Sequence, residues 1–143
     1  MLPKRAGDDP ALFPSSAGLA ALATLLSEIR VHLGEKAFLR LDHTEMMASH
    51  YPIGGFYAPH VDRFHGSSER FFTFVYFLNP EWLPAHGGEL HIISPQSLTI
   101  EPLMGRLVLF HTPEVMHEVL KSLKSRFAVT GWLGRAGVAP LVV

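Results

Sequence analysis

A chain of 143 residues is one domain on the usual prior, and folding at that size can bury about two-thirds of the unfolded surface. Its 48% hydrophobic and 17% charged residues exclude a disordered chain, and twelve basic against thirteen acidic residues, spread without runs, give no electrostatic footprint for nucleic acid. No cysteine is present, which excludes disulfides and thiolate metal sites and leaves nitrogen and oxygen as the only metal donors.

Residues 1 to 16 carry Pro3, Pro10 and Pro14 among small and charged residues and read as a loose N-terminal arm, with Ser15 or Ser16 as a helix N-cap. The arm has no apolar segment of signal-peptide length, and nowhere does an apolar run reach the ~20 residues of a membrane span. The expected setting is cytoplasmic, with no membrane and no nucleic-acid partner. Next, "AGLAALATLLSEIRVHLG" puts Leu19, Leu22, Leu26, Ile29 and Leu33 at alternating steps of three and four, which predicts a helix over 17–33 stopped by Gly34. The remainder is strand-like: "KAFLRLD", "EMMASHYPI", "FFTFVYFLN", "GELHIIS", "SLTIEP", "RLVLFHT", "MHEVLK" and "RFAVTGWLG" are short apolar or alternating runs broken by Gly, Pro, Asn or Ser. They define a β core over about 37–135, with a tail at 136–143. The predicted class is mainly β, antiparallel strands in a sandwich or barrel with the helix packed outside.

Within this frame "YAPHVDRFHG" places His60 and Asp62 two apart, so that on a strand both side chains leave the same face. Two ligands do not make a site. An iron(II) centre that binds a chelating cosubstrate and dioxygen needs three protein ligands on one face of an octahedron, commonly two histidines and a carboxylate. His65, His86, His91, His111 and His117 lie downstream as candidates for the third. His65, His86 and His111 fall near loops or strand ends, as solvated histidines do, and His43 and His50 flank strand starts. Nine residues after His117 comes Arg126, whose strand face is shared by Ala128, Thr130 and Trp132. A guanidinium fork there suits a carboxylate bidentately. Trp132, Leu90 and the "FFTFVYF" run also have the composition of ordinary core.

The ordered set "YPIGGFYAPHVD", "VYFLNPEW", "GGELHI", "HEV" and "RFAVTGW", from about Met46 to Trp132, resembles the 2-oxoglutarate- and iron(II)-dependent oxygenases, and most of all the prolyl-hydroxylase branch related to the Egl-nine oxygen sensors and their bacterial relatives. The resemblance implies a double-stranded β-helix (jelly-roll) of two antiparallel sheets with the metal at one open end. It implies hydroxylation of a C–H bond, foremost in a prolyl residue of a protein or peptide, coupled to decarboxylation of 2-oxoglutarate to succinate and carbon dioxide. His60, Asp62 and His117 would then be the Fe(II) ligands and Arg126 the partner of 2-oxoglutarate. Thr130, Trp132, Tyr51 and Leu90 fall where the family lines the cosubstrate pocket, and ascorbate is a further ligand that the family suggests.

Two departures qualify these expectations. Phe77 stands where the oxygen-sensing relatives carry a tyrosine that helps to hold the far carboxylate of 2-oxoglutarate, and Thr130 is the candidate substitute donor. The chain also reaches its first core strand after about forty residues, so the N-terminal strands of the relatives are missing or replaced. An exposed sheet edge, and with it a homodimer, is the expected consequence. The other readings open at this point are a hydroxylase of a small molecule or non-prolyl residue, and a non-catalytic metal-binding scaffold with the same fold.

Overall fold

The apolar face of the helix decides how the rest of the chain is layered. In the computed structural model, which describes residues 4–5, 16–62 and 69–137, strand β1 (Lys4–Arg5) precedes helix α1 (Ser16–Ala37). Leu22 and Leu26 are buried against Phe74, Val129 and Leu133, with Leu19, Ile29 and Leu33 packed around them. The helix therefore lies on one face of a sheet. That sheet has the order β1–β2–β9–β4–β7, where β2 is His43–Tyr51, β4 Glu69–Phe77, β7 Leu107–His111 and β9 Arg126–Arg135. A second sheet, β3–β8–β5–β6, is built from Tyr57–His60, Met116–Val119, Leu90–Ser94 and Leu98–Ile100. Every pairing between strands is antiparallel.

The period of two along a strand splits each central strand between two cores. On β4 and β9, Phe74, Val129 and Leu133 turn towards α1, whereas Val75, Phe77 and Ala128 turn inward and pack with Leu90 of the other sheet. The result is a two-sheet jelly-roll with one supporting helix, the architecture expected. Gly131 sits on the helix side, where an added Cβ would meet the Glu45 carbonyl oxygen at 1.9 Å and the Phe74 ring at 2.7 Å. Only glycine fits there.

Several boundaries differ from those predicted. The helix runs through Gly34 to Ala37, and the chain reverses only at Phe38, which takes φ 54° and is almost wholly exposed. The Leu39 amide then donates back to the Gly34 carbonyl at 3.0 Å, and a Cβ on residue 34 would meet the Leu39 oxygen at 2.9 Å. Gly34 thus makes room for the returning chain instead of ending the helix. As a consequence "KAFLRLD" is helix end and loop, not a strand, because its first two residues complete α1. The other predicted runs coincide with β2 and β4 to β9. The short β3 was not among those runs, since proline and glycine interrupt its neighbourhood.

The loose arm is also corrected at one point. Lys4–Arg5 pairs with His50 and Ser49 and so covers one end of the β2 edge of the sheet. Ser15, the rest of the arm, His65 and the tail beyond residue 137 lie outside the described residues. No helix among the described residues is long and apolar enough to cross a membrane.

Leu26 is 0% exposed at the centre of the helix–sheet contact. Leu26→Ala should therefore lower unfolding stability by about 2–5 kcal/mol in urea titration, the usual cost of a large buried aliphatic truncated to alanine. A loss below about 1 kcal/mol would show that α1 does not cover the sheet as described.

Candidate functional site

Between the two sheets lies a cavity of about 280 Å³, near the lower end of the roughly 300–1,000 Å³ common for small-molecule sites. Its walls follow from strand register. On β9 the residues Arg126, Thr130 and Trp132 face inward, flanked by β2, where Tyr51 pairs with Arg126 and Met47 with Thr130. From β4, Val75 pairs with Thr130 and Thr73 with Trp132. The second sheet supplies Tyr57, His60, Leu90, His117 and Val119.

His60, Asp62 and His117 meet at one end of this cavity. One ligand atom from each lies within 4.8 Å of the others. His60 Nε2 is 3.3 Å from Asp62 Oδ1 and His117 Nε2 is 3.7 Å from the same oxygen. Bonds of about 2.0–2.2 Å set at right angles would put neighbouring ligand atoms about 3 Å apart, so the two distances to Asp62 Oδ1 are already close to those a first-row divalent ion requires. His60 and His117 are register partners across β3 and β8, which is why sequence-distant histidines converge. Asp62 lies just beyond the end of β3, so it is reached by the chain leaving the strand and not by strand alternation alone.

The hydrogens are already arranged for ligation. His60 Nδ1 faces the Ala58 carbonyl at 2.8 Å, and His117 Nδ1 faces the Val115 carbonyl at 3.1 Å. A carbonyl only accepts, so each Nδ1 carries a hydrogen and each Nε2 is the nitrogen turned to the cluster, where it bonds or faces Asp62 while protonated and offers a lone pair once its proton is lost. Asp62 is fixed in the same sense: its Oδ2 accepts from Thr73 Oγ1 at 2.9 Å and from Trp132 Nε1 at 3.0 Å, which leaves Oδ1 facing the histidines. Burial pushes Asp62 up, but the hydrogen bond from His60, the charge of His117 and the Trp132 and Thr73 donors outweigh it and hold the carboxyl at about 2. The two histidines shift oppositely. Burial lowers both, and in the more enclosed His117 it prevails, whereas in His60 the bonds to Asp62 and Ala58 raise the pKa. Asp62 is thus ionised and His117 inclined to its neutral form, as ligation requires, whereas His60 has to release its Nε2 proton when an ion binds.

At the other end of the cavity sits Arg126, only 1% exposed. Its Nε donates to the Gly88 carbonyl at 2.7 Å, and its guanidinium carbon lies 4.9 Å from the Tyr51 ring centroid and 5.2 Å from that of Phe77. Gly88, at φ 72°, permits this approach, since a Cβ there would lie 3.0 Å from Arg126 Cδ. Burial pushes Arg126 down to about 10, so it stays charged at neutral pH. Tyr51 is pushed up to about 12 by burial and stays neutral. No carboxylate of the described residues forms an ion pair with Arg126. A buried cation without a counter-charge is costly, and an anionic ligand would relieve that cost.

Of the pocket residues expected from the sequence, Arg126, Thr130, Tyr51, Leu90 and Trp132 line the cavity. Phe77 is fully buried behind it, against Arg126. Met47, Ser49, Tyr57, Thr73, Val75 and Val119 also line it and were missed. Alternation from Tyr51 back to Ser49 and Met47, and from Phe77 back to Val75 and Thr73, was the available signal. Other described histidines lie elsewhere: His91 bonds Glu118 at 2.8 Å, His111 pairs with Glu114, His86 accepts from the Leu83 amide, and His50 stacks on Phe127.

The family model of the 2OG-Fe(II) oxygenase superfamily matches residues 46–134. Among solved structures, a prolyl-4-hydroxylase from Pseudomonas putida is similar with a TM-score of 0.77 and 35% identity, over 90% of this chain and 70% of that one. A prolyl hydroxylase from Trichoplax adhaerens, in complex with a hypoxia inducible factor oxygen degradation domain peptide fragment, has a TM-score of 0.73 and 26% identity, over 81% of this chain and 56% of that one. A prolyl 4-hydroxylase from Phytophthora capsici reaches 0.70 and 29%, over 92% and 48%. The chain thus spans between about half and seven-tenths of these relatives.

The geometry separates His117 from its neighbour His111. Titration with Mn(II), monitored by electron paramagnetic resonance, should show lost stoichiometric binding in His60→Ala, Asp62→Ala and His117→Ala and normal binding in His111→Ala. Full occupancy in His117→Ala would remove it from the ligand set.

Proposed function

This chain belongs to the 2OG-Fe(II) oxygenase superfamily, and from that premise we propose that it hydroxylates a prolyl residue of a peptide or protein, consuming dioxygen and 2-oxoglutarate and releasing succinate and carbon dioxide. The observation that carries the reading is the pairing of opposites in one cavity. His60, Asp62 and His117, three potential metal ligands, gather at one end, and Arg126, buried and without an ion-pair partner among the described carboxylates, lies at the other. A dicarboxylate with a 2-oxo group matches both, since its 2-oxo acid end can chelate a metal while its far carboxylate meets a guanidinium fork. A scaffold without turnover would have no use for a buried arginine left unpaired.

Fe(II) and 2-oxoglutarate fit the residues present. His60 and His117 would hold the ion through Nε2 and Asp62 through Oδ1. When bound, the iron supplies open coordination positions and the redox chemistry that activates dioxygen. The protein does the rest. Arg126 would fix the far carboxylate, and Thr130, which lines the same cavity from the same strand, would donate a hydrogen bond to it in place of the tyrosine that Phe77 replaces. Leu90, Val75 and Val119 give the cavity apolar walls that exclude water from the reacting groups. The Trichoplax adhaerens relative and its peptide support a peptide substrate. A cytoplasmic setting, and ascorbate as reductant in the assay, complete the proposal.

The deciding assay is succinate formation from 2-oxoglutarate with and without proline-containing peptides, with mass spectrometry of the peptide. Stimulated turnover together with a gain of one oxygen on proline is expected, and turnover that no peptide stimulates would overturn the prolyl assignment. Arg126→Ala should weaken 2-oxoglutarate binding by about 30- to 4,000-fold in anaerobic titration, corresponding to ~2–5 kcal/mol for one partner of a buried charge pair, with Mn(II) binding retained. Near-normal affinity would mean that another cation anchors the ligand. Thr130→Val should weaken the same binding by about 10- to 100-fold, as loss of ~1.5–3 kcal/mol implies, while Phe77→Tyr changes it little. The reverse pattern would show that the position of Phe77, not Thr130, governs the carboxylate.

A further inference from the structure

We propose that the Glu45–Arg70 ion pair, which lies outside the cavity, is a positioning device for Asp62 that acts through the Trp132 indole. The inference rests on the reading of His60, Asp62 and His117 as metal ligands and concerns what holds the carboxylate in place.

The contacts form one continuous chain. Glu45 on β2 and Thr73 on β4 are the two register partners of Trp132 on β9. Arg70 closes a two-point fork on Glu45, with Nε donating to Oε1 at 3.0 Å and Nη2 to Oε2 at 2.6 Å. Its guanidinium carbon stands 3.6 Å above the centroid of the Trp132 ring system, which is van der Waals contact. On the ring edge, Trp132 Nε1 donates to Asp62 Oδ2 at 3.0 Å.

Each link has a physical effect on the next. The fork fixes the guanidinium plane, because two parallel bonds to one carboxylate remove its rotation. A fixed planar cation lying on an indole fixes the plane of the indole in turn. The cation over the π-face also draws electron density from the ring, which makes the N–H a stronger donor. Trp132 and Thr73 both donate to Oδ2, so the carboxylate is held with Oδ1 alone presented to the histidines. Without the clamp, the indole swings and Asp62 Oδ2 is held by the Thr73 hydroxyl alone. Partners outside the ligand set that orient a ligand in this way typically contribute about 10- to 100-fold in metal affinity.

The test has two arms, titration of the metal-free protein with Mn(II) and, in separate metal-free samples, the Trp132 indole N–H resonance by 1H–15N NMR; the only other tryptophan, Trp82, donates to the Gly87 carbonyl and serves as the internal reference. Arg70→Ala and Arg70→Lys should each weaken Mn(II) binding about 10- to 100-fold and shift the Trp132 resonance. Lysine fails to rescue because it has neither fork nor plane. Glu45→Gln should move both readouts in the same direction by less. Glu69→Gln, which breaks the neighbouring ion pair with Arg135 on the same strands without touching Trp132, should leave both at wild-type values. Should Arg70→Ala not fold, Arg70→Lys and Glu45→Gln carry the comparison. Wild-type affinity and an unmoved resonance in those variants overturn the inference, as does an equal loss in Glu69→Gln. Failure of the wild-type protein to bind Mn(II) would instead overturn the metal-site reading on which the inference stands.

Discussion

The alternation of strand β9 governs everything else in this molecule. One ten-residue segment is hydrogen-bonded on both sides, to β2 and to β4, and its two faces have unrelated duties. Val129 and Leu133 point at the helix and close the outer core, while Arg126, Thr130 and Trp132 point into the cavity. A slip of one residue would exchange the two sets, driving a guanidinium into the helix packing. Gly131 reinforces the register, since the backbone of β2 and the ring of Phe74 approach too closely there for any side chain. The register that stabilises the fold therefore also places the ligand-binding residues.

Much of this was legible in the sequence because it depends on periodicity. The leucine and isoleucine spacing of α1 gave its buried face, and alternation in "RFAVTGWLG" gave the inward row of β9. His60 and Asp62 were readable from their spacing, although Asp62 lies past the strand end and is held in place by Thr73 and Trp132 instead of by pleat geometry. His117 could not be separated from His111 by spacing alone. What separates them is register across the sheets: His117 pairs with His60, whereas His111 pairs with Phe72 on the other sheet. Register between distant strands leaves little local trace. The end of α1 was missed for a related reason, since the role of Gly34 is set by where the chain returns after Phe38, a tertiary fact.

The wall missed most completely was that of β2. Met47 and Ser49 carry no chemical signature beyond their alternation with Tyr51, and their alignment with Thr130 and Ala128 shows that they face the cavity. The aromatic surroundings of Arg126 are likewise a product of three strands meeting. Tyr51 comes from β2 and Phe77 from β4, and each ring offers a π-face to a guanidinium that has lost its water. Such faces moderate the cost of burying the charge without neutralising it.

That residual charge divides ligand selection between the two ends of the pocket. A guanidinium recognises a carboxylate and little else about the molecule that carries it, so on the proposed binding mode 2-oxoglutarate and its decarboxylated product succinate would be equivalent partners at the Arg126 end. Discrimination then falls to the His60, Asp62 and His117 end, where a 2-oxo acid closes a chelate ring and a simple carboxylate does not. On that binding mode metal loading would set the order of preference: without a metal the pocket would take dicarboxylates in general, and with one it would favour the keto acid. Succinate, which closes no chelate ring, would be both a competitor at high concentration and a ligand that leaves readily once formed.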